Sequence, residues 1–193
     1  MAEEKVSVIR MQVEDDDLPL IEGKMMTKQM RTSIFGCVSG GSDSMKLENY
    51  QRFHIVNGTG AECTRTNMRI DLRDGTLVNM PRLPKKEKFE YTENFDGMQL
   101  LNGKTIYINM KFVSGEGGAQ NRTIQNVYSF VKGQLAVLLQ GTDVYFGNVL
   151  DGDKADKSME CFEYLLSRKE FSSIKDRVYV GDLKSYIDWV RKL

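Results

Sequence analysis

Apolar and polar residues alternate most regularly between positions 104 and 113, in the segment KTIYINMKFV. Side chains two residues apart share a face of an extended chain, so this period predicts a β-strand. One face of that strand would be apolar, and the other would present an amide and an ammonium group. The first face comprises Ile106, Ile108, Met110 and Phe112, and the second comprises Tyr107, Asn109 and Lys111.

The period changes to steps of three and four residues after the glycine-containing loop at 114–118. This spacing predicts a helix over 119–139 with one apolar stripe, which we expect to pack on a sheet. Further along, the pattern predicts strands at 144–150 and 177–181, and a helix at 155–168. A last helix is expected to begin at Asp182, a good N-cap residue. The residues of the apolar stripe are Ile124, Val127, Tyr128, Val131, Leu135 and Leu138.

The N-terminal half is less regular and richer in extended segments. Alternation predicts strands at 5–13, 61–72 and 88–95. The segments 24–38 and 46–56 do not distinguish a helix from a strand. Together with the βα units that follow, these elements predict an α/β (α+β) fold with a mixed β-sheet flanked by helices.

The length of 193 residues favours one domain. Within that domain we expect an irregular N-terminal part at 1–60, a core at 61–150 and a C-terminal helix-strand-helix extension at 151–193. No internal repeat is visible in the sequence.

Charge and cysteine content narrow the classes of function. The chain has 27 basic and 27 acidic residues, so no overall positive field draws it to nucleic acid, and any such site must be local. Three separated cysteines, Cys37, Cys63 and Cys161, indicate reduced thiols rather than a disulfide framework. Without a secretory leader or a membrane-length apolar run, the sequence predicts an intracellular protein, cytoplasmic or nucleoid-associated, with no membrane partner. The single His54 excludes mechanisms that need histidine pairs.

Three polar residues on or next to neighbouring predicted strands carry the candidate chemistry. Asp96 follows the strand predicted at 88–95, and Asn109 and Lys111 share a face of the strand at 104–113. Hydrolysis of a phosphodiester uses a divalent cation held by oxygen ligands, and a lysine can orient the attacking water or stabilise its hydroxide. We therefore expect Asp96 and Lys111 to lie on the same side of adjacent strands.

This layout resembles the active site of the restriction-endonuclease-like superfamily, PD-(D/E)xK, over residues 61–150. The resemblance implies a restriction-endonuclease-like core and a Mg²⁺-dependent endonuclease. Asn109 stands where the family has Asp or Glu, and the missing negative charge predicts weak Mg²⁺ binding unless another carboxylate enters, of which Glu116 is the nearest and Glu90 or Glu93 are alternatives. The catalytic residues so implied are Asp96, Asn109, Lys111 and Glu116, with Asp96, Asn109 and Glu116 as metal ligands.

A nuclease also needs contacts to its substrate. The first turns of the helix predicted at 119–139 are polar, and a short basic cluster lies upstream of Asp96. Amides and guanidinium groups at such positions can reach phosphates or base edges. We expect double-stranded DNA as the partner, and a homodimer if both strands of a symmetric site are cut. The candidate contact residues are Gln120, Asn121, Arg122, Gln125, Lys85 and Lys86.

Two other functions fit the same sequence. A nuclease fold without catalysis could act as a binding or structural subunit, for example in a viral or mobile-element assembly, and Asn109 favours this alternative. The loop at 115–118 could instead cradle a phosphate in a nucleotide-binding domain, although it lacks a Walker or complete dinucleotide motif. The acidic Asp151-Gly152-Asp153 run after the predicted strand at 144–150 is typical of a turn.

Overall fold

The computed structural model describes residues 43–115 and 117–193. The strand expected at 5–13, the segment 24–38 and Glu116 lie outside the described residues. No helix in the described part of the chain is long and apolar enough to cross a membrane.

The described chain begins with one long helix, continues through two β-hairpins and then alternates helices with strands. The helices are α1 (Asp43–Thr59), α2 (Gly118–Leu139), α3 (Asp153–Asp156), α4 (Met159–Ser167) and α5 (Leu183–Arg191). The strands are β1 (Met68–Asp71), β2 (Thr76–Asn79), β3 (Gly97–Leu101), β4 (Lys104–Phe112), β5 (Tyr145–Asp151) and β6 (Val178–Gly181).

The central sheet has four strands in the order β3-β4-β5-β6. β3 and β4 form an antiparallel hairpin, whereas β4 and β5, and β5 and β6, pair in parallel. β1 and β2 form a separate antiparallel pair. The mixed sheet with flanking helices confirms the predicted α/β class.

Helices cover both faces of the central sheet. Alternate residues of β4 and β5, such as Tyr107 and Phe146, pack with the apolar stripe of α2. The intervening residues, such as Ile108 and Val149, pack with α1 and α5. The strands are buried on both faces, as expected of parallel strands with helical crossovers. In α2 the prediction is confirmed, because the stripe is buried at Ile124, Val127, Val131, Leu135 and Leu138.

Several element boundaries differ from the sequence prediction. The segment 46–56 is helical and belongs to α1, and only Met68–Asp71 of the segment 61–72 is a strand. The helix expected at 155–168 is divided into α3 and α4 by a turn at 157–158. The N-cap at Asp182 is confirmed, because its Oδ1 accepts a hydrogen bond of 2.9 Å from the backbone N–H of Ser185.

The strand predicted at 88–95 is wrong. Its chain forms turns and one isolated bridge between Tyr91 and Asp71, and hydrogen-bonds irregularly to β1. Alternation predicts that Phe89 and Phe95 lie on the same face. In the structure Phe89 is 82% exposed and Phe95 is fully buried. Asp96 therefore does not end a strand but stands immediately before the first residue of β3.

Candidate active site

Asp96 and Lys111 meet at the carboxyl end of β4. The antiparallel pairing of Gly97 with Ile108 brings the preceding Asp96 level with Asn109. The Lys111 ammonium lies 3.5 Å from Asp96 Oδ2 and 3.3 Å from Glu93 Oε2. The hairpin thus brings together Asp96 and Lys111, the two side chains that the sequence singled out. Glu93, from the chain that leads into β3, adds a second carboxylate.

The position of Asp96 is fixed by the surrounding backbone. Its Oδ2 accepts a hydrogen bond of 2.7 Å from the backbone N–H of Met110. Its own backbone carbonyl accepts one of 2.8 Å from the Arg52 guanidinium of α1. Because one carboxylate oxygen is held by the strand that carries Lys111, the geometry of the Asp96–Lys111 pair follows from the sheet itself.

Lys111 is a cation at neutral pH. Burial by itself would lower the pKa of its ammonium group, but the carboxylates of Asp96, Glu93 and Glu48 outweigh burial and hold that pKa above its ordinary value. A protonated lysine can stabilise negative charge on a phosphate or on an attacking hydroxide. It cannot take a proton from water.

Asn109 belongs to a buried group of amides. Its side chain is fully buried, and its Nδ2 donates to Asn148 Oδ1 at 3.4 Å. Asn148 in turn exchanges hydrogen bonds of 2.8 and 2.9 Å with Gln134 of α2. Asn109 Oδ1 has no hydrogen-bond partner within the described residues. The Asn109 side chain therefore lies beside Asn148, fully buried and with Oδ1 unpaired among the described residues.

A cavity of about 320 Å³ opens at the end of β4, between α1 and the first turns of α2. Polar groups line it from four separate segments: α1, the chain before β3, β4 and α2. Its lining residues are Leu47, Glu48, Gln51, Glu93, Met110, Lys111, Phe112, Thr123, Asn126 and Val127. Carboxyl ends of strands are the usual place for ligands in sheets of this kind.

Sequence reasoning missed the contribution of α1. Glu48 and Gln51 are three residues apart and so share a helix face, but the ambiguous pattern of 46–56 hid the helix. Asp151 was also missed, because Asp-Gly-Asp is typical of a turn. Gly152 and Asp153 do leave the strand here, while the Asp151 side chain points back into the protein and is fully buried.

Asp151 is held between α1 and α5. Its Oδ2 accepts a hydrogen bond of 2.6 Å from Gln51 Nε2, and its Oδ1 accepts one of 3.2 Å from the backbone N–H of Leu183. Burial raises the pKa of Asp151 to about 7, against the effect of these two donors. A buried carboxyl group next to a cavity is a common feature of functional sites.

The residues expected to contact nucleic acid fall into two groups. Asn121, Arg122 and Gln125 are exposed in the first two turns of α2, and Gln120 is half-buried there. Thr123 and Asn126 from the same turns line the cavity, so this end of α2 adjoins the site. The basic pair Lys85 and Lys86 lies in exposed turns before β3, and neither lines the cavity.

The oxygen atoms at the site fit Mg²⁺ in kind. Asp96 offers a carboxylate and Asn109 a neutral oxygen without a partner, and hard cations take oxygen ligands. Within residues 43–115 and 117–193, no three side chains of Asp, Glu, His or Cys lie close enough to share a metal ion. Glu116, the third expected ligand, lies outside those ranges.

Comparison of the chain with family models, with curated proteins and with solved structures finds no match.

Proposed function

We propose that the protein is a Mg²⁺-dependent endonuclease that hydrolyses phosphodiester bonds in DNA. The observation that carries this proposal is the approach of the Lys111 ammonium to Asp96, 3.5 Å apart, beside a polar cavity. A fixed carboxylate next to a protonated lysine is the arrangement expected for holding a metal ion and a charged phosphate together.

The element order supports a restriction-endonuclease-like core. After helix α1 and the separate β1–β2 pair, the β3–β4 hairpin, the long helix α2 and the parallel strand β5 follow one another in the described chain. This order is similar to the core of the PD-(D/E)xK superfamily, with Asp96 before β3 and Lys111 on β4. Asn109 at the central motif position is the departure.

Each residue has a distinct role in this proposal. Asp96, Asn109 Oδ1 and Glu116 would hold Mg²⁺, which supplies positive charge for the phosphate and acidifies a bound water. Lys111 stabilises the negative charge that develops on the phosphate. The carboxylate of Glu93, 3.3 Å from Lys111, keeps the ammonium directed toward the site.

The substrate would approach along the start of α2. Asn121, Arg122 and Gln125 are exposed next to the cavity and can contact phosphates or base edges, and Gln120 is half-buried in the same turns. Lys85 and Lys86 add positive charge at a distance from the chemistry. Cutting both strands of a symmetric site would require a homodimer, and the protein would act inside the cell.

Cleavage of plasmid DNA with and without Mg²⁺ tests the proposal. We expect Asp96→Asn and Lys111→Ala each to reduce the cleavage rate by at least about 100-fold, and Glu116→Gln to do the same. Matched controls are Asp143→Asn and Lys132→Ala, which change the same residue types at exposed positions away from the cavity. An Asp96→Asn variant that cuts DNA at the wild-type rate would show that Asp96 is not part of the site.

One observation favours a second function, that of a non-catalytic nuclease fold that binds nucleic acid or serves as a structural subunit. Asn109 contacts the closed amide pair of Asn148 and Gln134, and a carboxylate at position 109 would be buried beside them. In that case calorimetry would show no Mg²⁺ binding, no nucleic acid would be cut, and Asn109→Asp would create weak metal affinity.

A further inference from the structure

The side-chain amide of Gln51 is held in one orientation by two acceptors. Its Nε2 donates to Asp151 Oδ2 at 2.6 Å and to the backbone carbonyl of Lys111 at 3.3 Å. With Asp151 ionised, as it is above about pH 7, rotating the amide by half a turn would place its oxygen against a carboxylate and a carbonyl, neither of which has a hydrogen to donate. Gln51 therefore presents its NH₂ group to these two acceptors, and its oxygen is left to find a different partner.

That oxygen is buried and has no hydrogen-bond partner in the described part of the chain. Gln51 is 1% exposed, and its Oε1 is among the buried side-chain atoms without a partner. A buried acceptor left unpaired costs free energy, so an acceptor of this kind calls for a donor from outside the protein. Gln51 lines the cavity of about 320 Å³, which has ample room for waters or part of a ligand.

Gln99 provides an internal comparison. It is also fully buried and also donates twice from Nε2, to Thr59 Oγ1 at 2.9 Å and to the backbone carbonyl of Ala61 at 3.0 Å. Its Oε1, however, accepts a hydrogen bond of 3.3 Å from the Tyr186 hydroxyl. The two glutamines differ in the partner of Oε1, and the one that lacks it is the one that lines the cavity.

We propose that Gln51 Oε1 binds the water that attacks the phosphodiester. This inference rests on the proposed nuclease function. The Lys111 ammonium offers only donors and the nearby Glu48 and Glu93 offer carboxylate oxygens, so a water in the cavity can donate to Gln51 and to a carboxylate while Lys111 approaches its oxygen. In hydrolysis the water's OH becomes bonded to phosphorus, the bond from phosphorus to the leaving sugar oxygen breaks, and the water's second hydrogen ends on that oxygen.

Asp151 acts through Gln51 and is a positioning residue. It takes no part in bond changes, and it fixes the amide so that Oε1 faces the water. The proposal therefore makes Gln51 a catalytic residue supplied by α1 and Asp151 its support from β5.

The test compares Gln51→Met with Gln99→Met, two exchanges of a buried amide for an apolar chain of similar size. DNA affinity is measured with Ca²⁺ in place of Mg²⁺, and the single-turnover cleavage rate with Mg²⁺. We expect Gln51→Met to lower the cleavage rate by about 10- to 100-fold and to change the dissociation constant for DNA by less than about twofold. Gln99→Met should cleave at a rate within about twofold of the wild type once both are corrected for the folded fraction. An unchanged cleavage rate in Gln51→Met would overturn the assignment.

Two further measurements distinguish Gln51 from a merely structural residue. Asp151→Asn should slow cleavage in the wild type but add little in the Gln51→Met background, because both changes act on the same water; additive losses would overturn the link. A crystal structure of the wild type should show an ordered water or ligand donor within about 3.2 Å of Gln51 Oε1, and a protein donor there would refute the proposal even if no variant folds. If the wild type never cuts nucleic acid, both the nuclease function and the catalytic role of Gln51 are wrong. If the wild type is active but its crystal structure shows no water or ligand donor at Gln51 Oε1, only the catalytic role is wrong.

Discussion

Replacing Asp151 by asparagine tests how a buried carboxyl group makes the stability of this fold depend on pH. Burial raises the pKa of Asp151 to about 7 in the folded protein, from an ordinary value of 3.8. The folded protein therefore holds this proton more tightly than the unfolded chain does. The contribution of Asp151 to stability is fully present below about pH 4, decreases as pH rises toward 7, and is constant above.

The size of the effect follows from the difference in pKa. A pKa raised by about 3 corresponds to about 4 kcal/mol of unfolding free energy lost between pH 4 and pH 7, as an order of magnitude. Asparagine does not titrate, so the variant lacks this loss. At low pH we expect the variant to be less stable by about 1 kcal/mol, because an amide cannot accept both from Gln51 and from the Leu183 N–H. The two stabilities should therefore cross near pH 5, and above pH 7 the variant should be the more stable by about 3 kcal/mol.

Urea unfolding of both proteins between pH 4.5 and pH 8 measures the difference. The single tryptophan, Trp189, packs against Tyr179 and Tyr186 and reports unfolding by fluorescence. His54 must be allowed for, since burial lowers its pKa from 6.5 to about 4 and its titration makes stability rise with pH over the same range. Because His54 is present in both proteins, its effect cancels in the difference. A difference in unfolding free energy that is constant to within about 1 kcal/mol over this range would refute the reasoning.

Three further changes have outcomes that follow from the structure or, for Arg122, from the proposed function. Gly152→Ala should destabilise the fold by more than about 2 kcal/mol, because φ is +108° and an added Cβ would lie 2.3 Å from the Val113 carbonyl oxygen. Gly103→Ala, at φ +75° with open space around it, should cost only about 1 kcal/mol, and equal losses in thermal melts would contradict this account. Phe95→Ala should lower the unfolding free energy by about 3 to 5 kcal/mol in urea titrations, since Phe95 is fully buried. An equal loss of unfolding free energy for Phe89→Ala, at an exposed position, would contradict the burial of Phe95. Arg122→Ala should weaken DNA binding and reduce the slope of log affinity against log salt by about 1; an unchanged slope would remove Arg122 from the interface.

The parts of the fold that the sequence predicts well are those where one period runs uninterrupted. The strand at 104–113 and the helix at 119–139 are each regular over ten residues or more, and both are close to β4 and α2 in the structure. The segment 88–95 was misjudged because side-chain alternation says nothing about backbone partners. Its N–H and carbonyl groups bond to β1 at irregular intervals, so no strand forms.

The candidate site divides in a similar way. The approach of Asp96 to Lys111 could be expected from sequence, because antiparallel neighbours close in the chain are brought together by a short hairpin. The contribution of α1 could not, since Gln51 reaches Lys111 across 60 residues and Asp151 across 100. Contacts of that range depend on how helices cover the sheet, which no local pattern specifies. Asp151 could not be recognised from the sequence, because its neighbours Gly152 and Asp153 do turn the chain away from the strand.

The long-range hydrogen bonds of Gln51 also limit when the candidate site can form during protein synthesis. Gln51 is translated 100 residues before its partner Asp151, and domains form their non-local contacts only after the later strand is available. A growing chain on the ribosome therefore lacks the support for the cavity until β5 has emerged. A fragment that ends before β5 lacks the same support. Under the proposed function, hydrolytic capacity would be confined to finished, intact molecules, which would protect a cell from the fragments that it makes or discards.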